Sequence, residues 1–105
     1  LQGKGGMRLL PCREKDTRPN KWFFRLYLGD EYPLKRDELI ARLAEQKIQT
    51  RPVWALINEQ KSYRSCETFA LEKAEHYRAK IVNLPCSTNL ALEDADRVIK
   101  AVLSV

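Results

Sequence analysis

At 105 residues the chain is long enough for one small domain with a single modest core, and 44% hydrophobic with 31% charged residues argues against disorder over most of its length. The 19 Lys and Arg against 14 Asp and Glu give a net charge of +5. The basic residues, among them Arg13, Lys15, Arg18, Lys21, Arg25, Lys35 and Arg36, are interspersed with acidic ones, the pattern of a solvated surface rather than a nucleic-acid stripe. No apolar run reaches the roughly 20 residues of a membrane helix, and Leu1–Gly6 holds no signal-peptide core. The expectation is a cytoplasmic protein. Met7 is the only methionine and position 1 is Leu, which suggests a fragment or a processed chain.

Residues 1–19, with three glycines and two prolines, read as a flexible or partly ordered lead-in in which Met7–Leu10 can form a short edge strand. Residues 20–105 read as a single small α/β domain. Asn20–Leu28 is rich in aromatic and branched residues and predicts a strand with Phe24, Leu26 and Leu28 on one face. Lys35–Gln46 predicts a helix, its apolar side formed by Leu39, Ile40, Leu43 and Ala44. Ile48–Trp54 returns as a strand, and Pro52, which has no N–H to donate, puts it at an edge or near a strand end. Residues 55–67 read as a loop with a short helical turn.

Thr68 is a candidate cap for a helix over Phe69–Ala79, with Ala70, Ala74 and Tyr77 on one face. Ile81–Pro85 is a short apolar strand. Leu92–Leu103 carries the clearest helical period, Leu92, Ala95, Val98, Ile99, Val102 and Leu103, with Glu93 and Asp94 in its first turn and Lys100 in its last. The order implies an α/β (α+β) two-layer sandwich: a small sheet of about three strands with helices on one face. If the strands flanking the first helix are parallel, their crossover is right-handed.

No catalytic set stands out. His76 is the single histidine, and Cys12, Cys66 and Cys86 are odd in number and widely spaced, which suits free thiols better than zinc or disulfides. Arg51, before Pro52-Val53-Trp54, can present its planar fork to a carboxylate or phosphate, or form a surface salt bridge. Trp54 is either core or a ligand platform. Asn58, Asn83, Ser87, Thr88 and Asn89 suit caps, turns or binding. Trp22, Phe23, Phe24 and Tyr27 with the basic excess also permit a free-standing RNA-binding module, although no RNP-type motif is present. A protein-interaction module is a third reading.

Ile48-Gln49-Thr50-Arg51-Pro52-Val53-Trp54, Val82-Asn83-Leu84-Pro85-Cys86-Ser87 and Glu93-Asp94-Ala95-Asp96-Arg97-Val98-Ile99 together resemble the C-terminal end of DegT/StrS-type sugar-nucleotide aminotransferases. Asn20-Lys21-Trp22-Phe23 and Leu39–Leu43 match in order and spacing, so the resemblance runs from about Met7 to the end. It implies the small C-terminal domain of an aspartate-aminotransferase-type enzyme that depends on pyridoxal phosphate and aminates a keto-sugar nucleotide in bacterial surface-sugar biosynthesis, such as that of legionaminic-type nonulosonic acids. The Schiff-base lysine, the aspartate on the pyridine nitrogen and the phosphate-holding residues belong to the family's large domain. None of this chain's lysines matches that motif. The chain is therefore expected to bind no cofactor and to be inactive alone, its partner being the missing large domain of a homodimeric parent. The segment matching Arg51–Asn58 lies near the family's substrate side, which makes Arg51, Trp54 and Asn58 the candidate substrate-binding residues; many relatives carry a histidine close to the position of Asn58.

Overall fold

The computed structural model describes residues 1, 3–11 and 15–105; Cys12 and Arg13, which entered the reading of thiols and charge, lie outside the described residues. Four strands form one antiparallel sheet: β1 (Met7–Leu9), β2 (Phe24–Leu28), β3 (Arg51–Pro52) and β4 (Ile81–Leu84), in the spatial order β1-β2-β4-β3. Three helices accompany it: α1 (Arg36–Glu45), α2 (Glu72–Lys80) and α3 (Leu92–Leu103). β2 and β3, which flank α1, run in the same direction, with β4 inserted antiparallel between them.

The core lies between the sheet and α1 with α3. Leu26 and Leu28 of β2, Val82 and Leu84 of β4, Leu39 and Leu43 of α1, and Val98, Ala101 and Val102 of α3 form one buried cluster, joined by Met7 of β1 and by Ile48. This is the expected two-layer α+β arrangement. α2 buries no residue of its own. It lies on the reverse face of the sheet, where Tyr27 accepts the edge of Tyr77 at 5.9 Å and its hydroxyl pairs with His76 Nε2 at 2.9 Å. His76 is thus a packing residue on an exposed helix.

α1 and α3 keep the predicted bounds to within a residue. Within α3 the buried stripe is Val98, Ala101 and Val102, whereas Leu92 is exposed, because the helix meets the sheet along its second half. β2 begins four residues later than predicted: Lys21 takes a left-handed backbone (φ 52°), and Asn20 Oδ1 accepts the Trp22 N–H at 3.0 Å, a turn that interrupts the extended run. α2 starts at Glu72 rather than Phe69. Ala70 is left-handed (φ 51°) and Phe69 is solvent-exposed, so neither the Thr68 cap nor the Ala70 face forms. The loop after Trp54 contains two 3₁₀ turns, Ile57–Glu59 and Lys61–Tyr63.

The passage from α1 to β3 positions the candidate site. Lys47 takes φ 60°, its N–H bonds Ala44 O, and the Ile48 N–H bonds Leu43 O at 2.9 Å, a Schellman-type ending. Ile48 is buried beside Leu43, which fixes the direction in which the chain leaves the helix. Three residues later Arg51 pairs with Asn83 and Pro52 with Val82 on the outer edge of the sheet, where the missing proline N–H costs no ladder bond. Only these two residues of the predicted seven are regular strand, and Val53 adds a long bond of 3.3 Å to Ile81 O.

Candidate functional site

A cleft of about 780 Å³ runs along the β3 edge. Its walls include Phe23, Arg51, Trp54, Asn83, Cys86 and Arg97, so that segments before β2, around β3, after β4 and on α3 meet there. Arg51 and Trp54 both line it. Asn58 does not; it is half-buried in the turn Ile57–Glu59. Trp54 is exposed rather than core, with Phe23 at 5.3 Å edge-to-face and Trp22 at 5.7 Å. The three rings brace one another, and Phe23 and Trp54 offer apolar surface to the cleft.

The cleft is unbalanced in charge. Among the described residues its walls carry Lys47, Arg51, Arg78 and Arg97 against the single carboxylate of Asp94. Two of these cations are occupied. Arg78 pairs with Glu59 at 3.2 Å, and Arg97 donates to the Gln46 carbonyl, tying α3 to the end of α1. Lys47 and Arg51 have no side-chain partner among the described residues. Asn83, predicted only as one of several polar candidates, is buried in the sheet and its Oδ1 has no hydrogen-bond partner; with Thr50 Oγ1 it is one of two such buried atoms among the described residues, and only Asn83 lines the cleft.

A second hollow, of about 670 Å³, lies between the end of β2, the start of α1 and the end of α2. It carries both signs, and they neutralise each other: Lys80 bonds Asp30, and Arg36 bonds Asp37 at 2.7 Å. The hydrogen bond from Lys80 holds the Asp30 carboxyl below its ordinary value, and that from Arg36 does the same for Asp37.

Pyridoxal phosphate needs a lysine whose amine gives up its proton readily, which requires desolvation or a neighbouring cation. Lys47, on the cleft wall, is exposed at a helix end. Among the described residues Lys80 is the single lysine that is not exposed, and its hydrogen bond to Asp30 raises its pKa instead of lowering it. The residues of this chain do not fit the cofactor by themselves, and no step through it is assigned to them. No group of three potential metal ligands occurs among the described residues, and none of their helices is long and apolar enough to cross a membrane.

Several solved structures share the fold. DesV of S. venezuelae aligns with 97% of this chain at 27% identity and a TM-score of 0.81, and the aligned part is 27% of DesV. The sugar aminotransferase CalS13 of Micromonospora echinospora aligns with 97% of the chain at 22% identity and a TM-score of 0.79, using 26% of its own length. PseC of Helicobacter pylori, an aminotransferase involved in the biosynthesis of pseudoaminic acid, aligns with 78% of the chain at 20% identity and a TM-score of 0.69. The chain thus spans about a quarter of the length of these enzymes. The comparison with curated protein sequences gives no match. The profile of the DegT/DnrJ/EryC1/StrS aminotransferases matches residues 1–103, almost the whole chain, and with the fold and length of a small C-terminal domain this means that the chain belongs to the DegT/DnrJ/EryC1/StrS aminotransferase family.

Proposed function

We propose that the chain is the C-terminal domain of a cytoplasmic, pyridoxal-phosphate-dependent aminotransferase that transfers an amino group to a keto-sugar nucleotide in bacterial surface-sugar biosynthesis. The cofactor, which supplies the amino-transfer chemistry, and its lysine come from the large domain of the same parent, itself a homodimer. This chain supplies one wall of the substrate cleft. Arg51 grips an anionic group of a substrate, either the carboxylate of the amino donor or a phosphate of the nucleotide sugar, and Trp54 offers an apolar face beside it. Asn58, in the turn Ile57–Glu59, is the third candidate substrate contact, carried by the family resemblance alone. The family membership and the relationship to a sugar aminotransferase and to the pseudoaminic-acid enzyme support the reaction class.

The observation that carries the reading is the cleft's surplus of positive charge, with Arg51 unpaired among the described residues at the edge strand beside an exposed indole. A guanidinium left without a carboxylate in a concave, partly apolar site is suited to a ligand's oxyanion. Steady-state kinetics of the complete enzyme test it. Arg51→Ala is expected to raise one substrate's KM roughly 10- to 100-fold, the equivalent of about 1.5–3 kcal/mol for a charge-assisted hydrogen bond. The isolated chain mixed with pyridoxal phosphate is expected to show no Schiff-base absorbance that disappears on borohydride treatment.

A further inference from the structure

The pairing register aligns three residues across the reverse face of the sheet. Arg25 of β2 pairs with Asn83 of β4, and Asn83 pairs in turn with Arg51 of β3. Directly paired residues of an antiparallel sheet point to the same side. Arg25, Asn83 and Arg51 therefore form one row on the face opposite the core, since their neighbours Leu26 and Val82 enter it. Two interstrand steps of about 4.8 Å put the arginine Cα atoms about 10 Å apart, and both side chains are long enough to converge above the residue between them. Neither arginine has a side-chain hydrogen bond or ion pair among the described residues, and both are exposed. Two carboxylates of neighbouring elements are held by other cations: Asp30 by Lys80 and Glu59 by Arg78. Between the two cations sits Asn83, only 7% exposed, with Oδ1 unpartnered and a place on the cleft wall.

Each feature alone has an ordinary explanation; the coincidence does not. Two guanidiniums brought together without a carboxylate repel each other, and an orphaned buried amide oxygen carries a desolvation cost. One bound oxyanion removes both problems. It neutralises the pair by accepting from both forks, and it draws the guanidiniums inward so that a spare N–H of either reaches Asn83 Oδ1. Each guanidinium has five N–H donors, more than one oxyanion uses.

We propose that Arg25, Asn83 and Arg51 form a cross-strand clamp for a single oxyanion, a phosphate monoester or a carboxylate, in which both arginines contact the anion and Asn83 holds their forks in position. The proposal rests on the reading of Arg51 as an anion contact and extends it to Arg25, from another strand, and to a residue beneath both.

The test uses the chain labelled with 15N in its arginine and asparagine side chains, titrated at constant ionic strength with methyl phosphate and, separately, with acetate. The Nε–H signals of Arg25 and Arg51 and the amide signals of Asn83 are expected to move together along one saturation curve. Saturation by methyl phosphate identifies a phosphate-bearing ligand, and saturation by acetate a carboxylate. Arg25→Ala and Arg51→Ala are each expected to raise the Kd of that probe roughly tenfold. Asn83→Leu, close in volume and free of the orphaned oxygen, is expected to raise it severalfold without lowering Tm. The clamp is overturned if Arg51 responds while Arg25 does not, if Arg25→Ala leaves Kd unchanged, if neither probe saturates, or if Asn83→Leu lowers Tm and spares Kd. Arg51's own role is decided separately, by the KM of the Arg51→Ala enzyme, so the clamp can fail while the functional reading stands.

Discussion

The two hollows of this domain are similar in size, about 780 and 670 Å³, and opposite in electrostatic design. The hollow at the start of α1 has as many acids as bases on its wall and pairs Asp30 with Lys80 and Arg36 with Asp37. Arg36 also donates to the carbonyl of Arg78, and the Lys35 N–H is capped by Glu38 at 2.7 Å, so the polar groups there join one element to another. Among the described residues the cleft at the β3 edge holds four cations against one acid, and Arg51 and Lys47 have no side-chain partner. Size does not separate the two hollows; unneutralised charge beside exposed aromatic surface does, and it is the ground for proposing the cleft as the binding site.

Variants in the core and on either hollow separate the two regions experimentally. The largest effect is expected beneath both hollows. Leu39→Ala removes a fully buried side chain from the shared core and is expected to cost about 2–5 kcal/mol in chemical denaturation. A smaller loss would mean that α1 is not fixed against the sheet, and neither wall would then be rigid.

Next comes the rim of the second hollow, where the Tyr32 hydroxyl donates to the Val102 carbonyl at 2.8 Å and links the turn after β2 to α3. Tyr32→Phe is expected to cost about 1 kcal/mol and to leave the KM values of the complete enzyme unchanged. Burial raises the Tyr32 pKa, so its neutral form is favoured in the folded state. Stability from this group is complete below the ordinary phenol value of about 10 and falls as pH rises through the elevated one. Tyr32→Phe is expected to remove that alkaline loss.

The smallest effect is expected at Asp30. Its carboxyl is held below the ordinary value by the hydrogen bond from Lys80, so its contribution is present above about pH 3.9 and lost as pH falls through the lowered pKa. The Asp30 side of the pair lies in solvent. Asp30→Asn is expected to flatten the acid limb of the stability profile slightly, and added salt should hide the difference. A large effect at Asp30 or none at Leu39 would reverse the order of the two regions.

The helices packed on the core were legible in the sequence because their apolar residues repeat at the helical period over three turns; α1 and α3 emerged within a residue of the predicted bounds. α2 begins later than its sequence predicts because a left-handed Ala70 breaks the run after a solvent-exposed Phe69, a backbone feature that the Thr68 cap signal does not reveal. The aromatic run at Trp22 and Phe23 looked like strand, yet a left-handed Lys21 turns it into a brace for Trp54. Arg51 was legible as a fork preceding an edge proline. The roles of Asn83 and Arg25 were not, since they depend on β4 lying between β2 and β3, and no local pattern specifies that order. Lys47 and Arg97 reached the cleft wall through the ending of α1, which is likewise a matter of tertiary packing.

On the proposed function, the charged cleft and not the neutralised hollow meets the substrate. The most direct measurement is the pair of KM values, for amino donor and for keto-sugar nucleotide, of the complete enzyme carrying Arg51→Ala, set beside the same values for Lys35→Ala in the second hollow. The account predicts a roughly 10- to 100-fold rise in one KM for Arg51→Ala and changes within about twofold for Lys35→Ala, an exposed side chain away from the cleft. Equal KM values for the two variants, or a rise at Lys35 alone, would contradict it.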